Sequence, residues 1–86
     1  MVEISIKINN PTGLHARPAS ILVKEAMKFK SNIYLIKNNK EYNAKSIMSV
    51  MAMGAAMGDE IKIKAEGGDE NEAINSLQKL LEDLKD

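Results

Sequence analysis

The sequence has no cysteine and no tryptophan, a single histidine, one phenylalanine, two tyrosines and a formal net charge of zero. Without cysteine there is no disulfide, no thiolate nucleophile and no cysteine-ligated zinc or iron–sulfur centre, which suits a reducing cytoplasm. Twelve basic residues offset twelve acidic ones, so no bulk field draws the chain to nucleic acid or to an anionic membrane. The scarcity of aromatic rings also gives stacking on bases little support. No uninterrupted apolar run is long enough for a signal sequence or a membrane helix. One histidine makes a metal site only if carboxylates or thioethers converge on it, so no metal and no cofactor is expected. At 86 residues there is room for one core but not for an enzyme built around a deep cleft. Apolar residues, 44% of the chain, suffice to pack that core. The expectation is one soluble, cytoplasmic domain spanning 1–86, with no repeat, linker or low-complexity segment.

What is present has clear periodicity. Val2, Ile4, Ile6 and Ile8 alternate with Glu3, Ser5 and Lys7, the period of a half-buried strand. Asn9-Asn10-Pro11-Thr12-Gly13 breaks that period with turn residues. From Ala16 the spacing becomes helical: Ala19, Leu22, Val23, Ala26 and Met27 share a face opposite Lys24, Glu25 and Lys28, and Ser31-Asn32 ends the helix. A second strand is predicted over 33–36, an Asn-Asn hairpin turn over 37–40, and a short third strand over 41–43. Ser46 is the predicted N-cap of a short helix over 47–53 that stops at Gly54. Another alternating strand runs over 60–65. Asp69 followed by Glu72 has the form of a capping box, ahead of a helical stripe of Ala73, Ile74, Leu77, Leu80, Leu81 and Leu84. The order βαββαβα, with one dry and one wet face to the sheet, predicts an α+β open-faced sandwich: four antiparallel strands with three helices on one face. The pattern leaves the strand order open.

The only arginine, Arg17, stands two residues after the only histidine, His15, in Gly13-Leu14-His15-Ala16-Arg17-Pro18-Ala19-Ser20. Two readings of this pair stand side by side. In one, His15 is a surface cap and Arg17 a solvated side chain. In the other, a helix starting at Ala16 puts His15 at the N-cap, where the first amides have no partner within the helix and the macrodipole disfavours a cation. The same helix end, with the amides of Ala16 and Arg17, favours a dianion placed on the ring. Arg17 offers a planar cation matched to phosphate oxygens, and Pro18 stiffens the first turn at little cost. Such a histidine can accept a phosphoryl group, with partner enzymes supplying the rest of the site.

Thr12-Gly13-Leu14-His15-Ala16-Arg17-Pro18-Ala19 resembles the signature of the histidine-containing phosphocarrier family, HPr, of the sugar phosphotransferase system. Lys45-Ser46-Ile47-Met48-Ser49-Val50-Met51 resembles the second signature of that family, in the form typical of Gram-positive bacteria. The spacing between the two matches, and the likeness runs from the first strand to the last helix. The resemblance implies a sheet in the order 1-4-2-3. It implies that His15 takes a phosphoryl group on Nδ1 from Enzyme I and passes it to Enzyme II A domains. It further implies phosphorylation of Ser46 by HPr kinase/phosphorylase, followed by binding to catabolite control protein A. Thr12, Ser20 and Lys24, with Ile47, Met48 and Met51, are assigned to partner docking on a monomer. A family paralogue that regulates catabolite repression without transport has glutamine in place of the histidine, which His15 argues against. Two positions depart from the usual pattern: Ala55, where a bulkier aliphatic residue is usual, and Ser49, where glycine is common.

Met48, Met51, Met53 and Met57 crowd one region. A Cu(I) thioether site, an all-core role, and an exposed adaptable patch of Ile47, Met48 and Met51 are the three readings, and the last suits a surface that docks several unlike partners. Beyond a phosphoryl relay, two other functions compete: a purely regulatory interaction domain acting through Ser46, and a ferredoxin-like module for RNA or metal.

Overall fold

A computed structural model describes residues 1–84; Lys85 and Asp86, the last two of the expected domain span, lie outside the described residues. Seven elements follow one another: β1 (Val2–Lys7), α1 (Ala16–Ala26), β2 (Asn32–Lys37), β3 (Lys40–Asn43), α2 (Ile47–Met53), β4 (Glu60–Glu66) and α3 (Glu70–Asp83). The strands form one antiparallel sheet in the order β1-β4-β2-β3. In-register pairs Ile4 with Ile63, Ile6 with Ile61 and Leu35 with Ile63 place the apolar side chains of alternate positions on one face. The three helices cover that face, and Leu22, Ile33, Leu35, Val50, Ile61, Ile63, Ala73 and Leu77 form its buried centre. The other face carries Glu3, Lys62, Lys64 and Glu41, whose opposite charges sit side by side across the strands.

Local signals hold where the bonds they need are local. Asn38 and Asn39 both have positive φ, 53° and 66°, as the tight turn between β2 and β3 requires. Ser46 has extended backbone, and its hydroxyl accepts the Ser49 amide at 3.2 Å. Ser49, the departure from glycine, gives its hydroxyl as acceptor to the Asn43 amide at 2.9 Å and so ties the end of β3 to α2.

Two expectations are corrected. α1 stops at Ala26 instead of continuing toward Ser31, and Met27, expected on the buried stripe, is the C-cap and stands exposed. Met27 keeps right-handed backbone, φ −70° and ψ −12°, and its amide still donates to the Val23 carbonyl at 3.0 Å, but residues 27–30 turn the chain toward β2 and its side chain stays in solvent. The capping box also fails. Asp69 is the N-cap of α3 but makes no side-chain cap bond. Its carboxylate instead accepts the Ser31 hydroxyl and the amides of Lys30 and Ser31, both at 2.9 Å, while Glu70 reaches back to the Gly67 amide. Three donors from the α1–β2 turn outcompete one donor of its own helix.

Those bonds favour the ionised acid. The Ser31 hydroxyl first, then the Lys30 amide, hold the Asp69 carboxyl at about 2, below the ordinary 3.8. A depressed carboxyl contributes stability above its unfolded pKa and loses it as pH falls through the folded one. The melting temperature is therefore expected to decline between about pH 4 and about pH 2. Asp69→Asn is expected to melt lower at neutral pH and to show a flatter acid limb, read by circular dichroism melts across that range. An acid limb identical to wild type would remove Asp69 from the acid response.

Candidate functional site

The loop between β1 and α1 is built on buried residues at both ends. Asn10, 1% exposed, donates its side-chain amide to the Gly13 carbonyl at 2.6 Å, and the Gly13 amide donates to the Asn10 carbonyl at 3.1 Å. Leu14 is buried, and its amide donates to the Ala55 carbonyl at 2.9 Å. Between these anchors and the helix stands His15, with φ −103°, ψ −178° and no side-chain cap bond. Its carbonyl accepts the Ala19 amide at 2.8 Å, the first rung of the helical ladder. The amides of residues 16 and 17 precede that ladder, and Pro18 has no amide hydrogen. The first turn of α1 contains no acidic side chain to offset its positive end.

Thr12, His15, Ala16, Arg17 and Pro18 line an open depression of about 400 Å³. Pro18 is buried and forms its wall, while Thr12, His15, Ala16 and Arg17 are exposed. The structure thus brings four of the expected site residues, Thr12, His15, Ala16 and Arg17, into one depression. Ser20, half-buried, and Lys24, exposed, lie further along α1 and outside this depression. Glu25, on the same helix, is held below its ordinary value by the Ser76 hydroxyl and then by Lys28, 2.9 Å away.

The α2 residues form a second place on the surface. Ile47, Met48 and Met51 are 43%, 84% and 37% exposed, whereas Val50 and Met53 enter the core. Methionine therefore serves both roles within one short helix. Lys45 precedes the cap and donates its ammonium to the Phe29 carbonyl at 2.7 Å. Among the described residues no group of three His, Asp or Glu side chains is placed to hold a metal ion. No helix among them is long and apolar enough to cross a membrane.

Sequence reasoning missed Asn10 and Ala55 as the supports of the histidine loop. An asparagine ahead of a Pro-Thr-Gly turn is a weak signal for the first. No local signal exists for the second, because the Leu14–Ala55 bond joins residues far apart in sequence. Ala55, the departure from a bulkier side chain, is buried and lies against Gly13.

The ring stands exposed at a helix start, in an open depression that the surface of another protein can reach. Comparisons with known proteins place the chain in a family. A family profile described as "PTS HPr component phosphorylation site" matches residues 2–83. The chain is 51% identical over 83 residues to the phosphocarrier protein HPr of Mycoplasma capricolum, covering 96% of this chain and 93% of that protein. It is 43% identical over 77 residues to the HPr-like protein Crh of Bacillus subtilis, covering 90% and 91%. The crystal structure of HPr from Thermoanaerobacter tengcongensis superposes with a TM-score of 0.93 at 52% identity, over 95% of this chain and 92% of that one. The chain belongs to the HPr family of the phosphotransferase system, a family of phosphoryl carriers and not of enzymes that turn over alone.

Proposed function

We propose that His15 accepts a phosphoryl group on Nδ1 from the phosphohistidine of Enzyme I and passes it to Enzyme II A domains in the cytoplasm. The observation that carries this reading is the exposed imidazole at the start of α1, sharing one depression with Arg17. In the first transfer a phosphorus–nitrogen bond forms at His15 as the donor's phosphorus–nitrogen bond breaks, and the donor imidazole keeps the electron pair. In the second the bond at His15 breaks, its imidazole keeps the pair, and the phosphoryl group bonds to the acceptor. The new dianion lies beside the Arg17 guanidinium and the amides of residues 16 and 17 at the positive end of the helix. Thr12, Ser20 and Lys24 on one side, and Ile47, Met48 and Met51 on the other, are the docking surface, and the chain acts as a monomer. Incubation with Enzyme I, Mg²⁺ and phosphoenolpyruvate tests the reading: one acid-labile phosphate per chain is expected, and none would sink it.

A second role is favoured by Ser46, a half-buried cap beside exposed Ile47 and Met48. Phosphorylated by HPr kinase/phosphorylase, it adds about −1.5 to −2 charges at the positive end of α2, which preserves the helix. The effect then falls on the surface: the phosphate repels an acidic Enzyme I face and offers a dianion to catabolite control protein A. Phosphorylation of Ser46 is expected to slow phosphate uptake at His15 about tenfold or more, and Ser46→Asp, with less charge, to slow it less. Equal uptake rates for wild type, Ser46→Asp and the Ser46-phosphorylated chain would leave Ser46 a cap alone.

A further inference from the structure

The loop that carries His15 hangs at both ends on one other segment, residues 54–59 between α2 and β4. At its start, the Ile8 amide donates to the Asp59 carbonyl and the Ile8 carbonyl accepts the Gly58 amide, both at 2.8 Å. At its end, the Leu14 amide donates to the Ala55 carbonyl at 2.9 Å, one residue before His15. Gly13 lies against the same segment so closely that an added Cβ would come within 2.8 Å of the Ala56 Cα. The six-residue bracket is Gly-Ala-Ala-Met-Gly-Asp, and of its side chains only Ala55 is buried. Side-chain packing therefore does little to hold it.

A charge pair from the sheet holds it instead. Lys37, the last residue of β2, donates its ammonium to the Gly54 carbonyl at 3.1 Å and pairs with the Asp59 carboxylate at 3.1 Å. The same Asp59 oxygen accepts the Ala56 amide at 2.8 Å. One ammonium thus ties the first and last residues of the bracket to a single point at the end of β2. The Asp59 carboxyl lies below its ordinary value, through the Ala56 amide first and Lys37 next, so it is charged at neutral pH. Lys37 is 22% exposed, which spares the contact part of the solvent screening that weakens surface pairs.

We propose that Lys37 and Asp59 are positioning residues for phosphoryl transfer at His15: their clamp on residues 54–59 sets the Ala55 carbonyl and Ile8, and through them the loop that aims the imidazole. The proposal rests on His15 being the acceptor. Transfer between two proteins needs the ring in line with the incoming phosphorus, and small misplacements of a reacting group slow such steps. The same bracket leaves α2 at Gly54, so the clamp also joins the Ser46 helix to the histidine loop.

The test uses the full chain with Lys37→Met, Asp59→Asn and Lys37→Arg. Single-turnover transfer from phosphorylated Enzyme I is measured against chain concentration, and hydrogen exchange of the Leu14 amide is compared with that of the Ile63 amide in the central strand. Lys37→Met and Asp59→Asn are expected to lower the limiting rate about threefold to fivefold, with the half-saturating concentration unchanged. Leu14 exchange should speed by a similar factor relative to Ile63, and Lys37→Arg should restore both. Unchanged rates and unchanged Leu14 exchange would overturn the proposal. So would a parallel acceleration at Leu14 and Ile63, which marks a general loss of stability. If the wild type takes no phosphate, the acceptor reading fails, and Leu14 exchange still decides whether the pair positions the loop.

Discussion

His15→Ala is expected to take up no phosphate from Enzyme I and phosphoenolpyruvate while keeping its fold. The imidazole makes no cap bond, its ring is exposed, and the backbone bond from Ala19 goes to a carbonyl that alanine retains. Replacing an N-cap residue costs at most about 1 kcal/mol in such a setting, a few degrees in melting temperature for a chain of this size. Loss of the acceptor nitrogen, by contrast, removes the only imidazole in the sequence and with it the nucleophile for the phosphoryl group. The measurement pairs acid-labile phosphate incorporation with a thermal melt. Labelling of the alanine variant would place the acceptor elsewhere, and a variant that does not fold would make His15 a structural residue.

Gly13→Ala is expected to be the most damaging single-methyl addition in the histidine loop. Gly13 has φ +65°, and its missing Cβ would meet the Ala55 carbonyl oxygen and the Ala56 Cα, both backbone atoms that cannot rotate aside. The left-handed conformation and the forced shift together cost about 3 kcal/mol, or roughly 15 °C in melting temperature. Because the shift falls on the Ala55 carbonyl that holds the Leu14 amide, phosphate uptake should slow as well. Gly54→Ala is the control. Its φ of +66° is equally left-handed, but an added Cβ meets nothing within 4 Å, so the expected cost is only about 1 kcal/mol. Equal melting temperatures for the two variants would show that the close approach of Gly13 to the bracket adds nothing to backbone strain.

The two proposed phosphorylation sites, His15 and Ser46, are linked through backbone. From Ser46 the path runs along seven residues of α2, turns at Gly54, and reaches the histidine loop through Ala55 and Asp59. A proposed docking surface built from exposed Met48 and Met51 on that helix, and from Thr12 and Lys24 on the other side, therefore sits on elements that share one support.

The residues themselves determined what depends on neighbours three or four positions away. The alternation of Val2 to Ile8, the start of α1 at Ala16, the positive-φ Asn38-Asn39 turn and the Ser46 cap all follow from backbone geometry and short-range bonds. The two separated signatures carried the family, and with it the strand order that periodicity left open. Tertiary structure decided the rest. Asp69 could cap its own helix or reach the α1–β2 turn, and only the folded chain brings Ser31 and Lys30 close enough to win its carboxylate. Met48, Met51 and Met53 are the same residue type on one short helix, and the sheet beneath it selects which is buried. His15 is legible as a candidate acceptor from its place at a helix start, two residues before Arg17. What aims it is not, because Ala55, Asp59 and Lys37 reach its loop through bonds that exist only once β2, β4 and α2 have assembled.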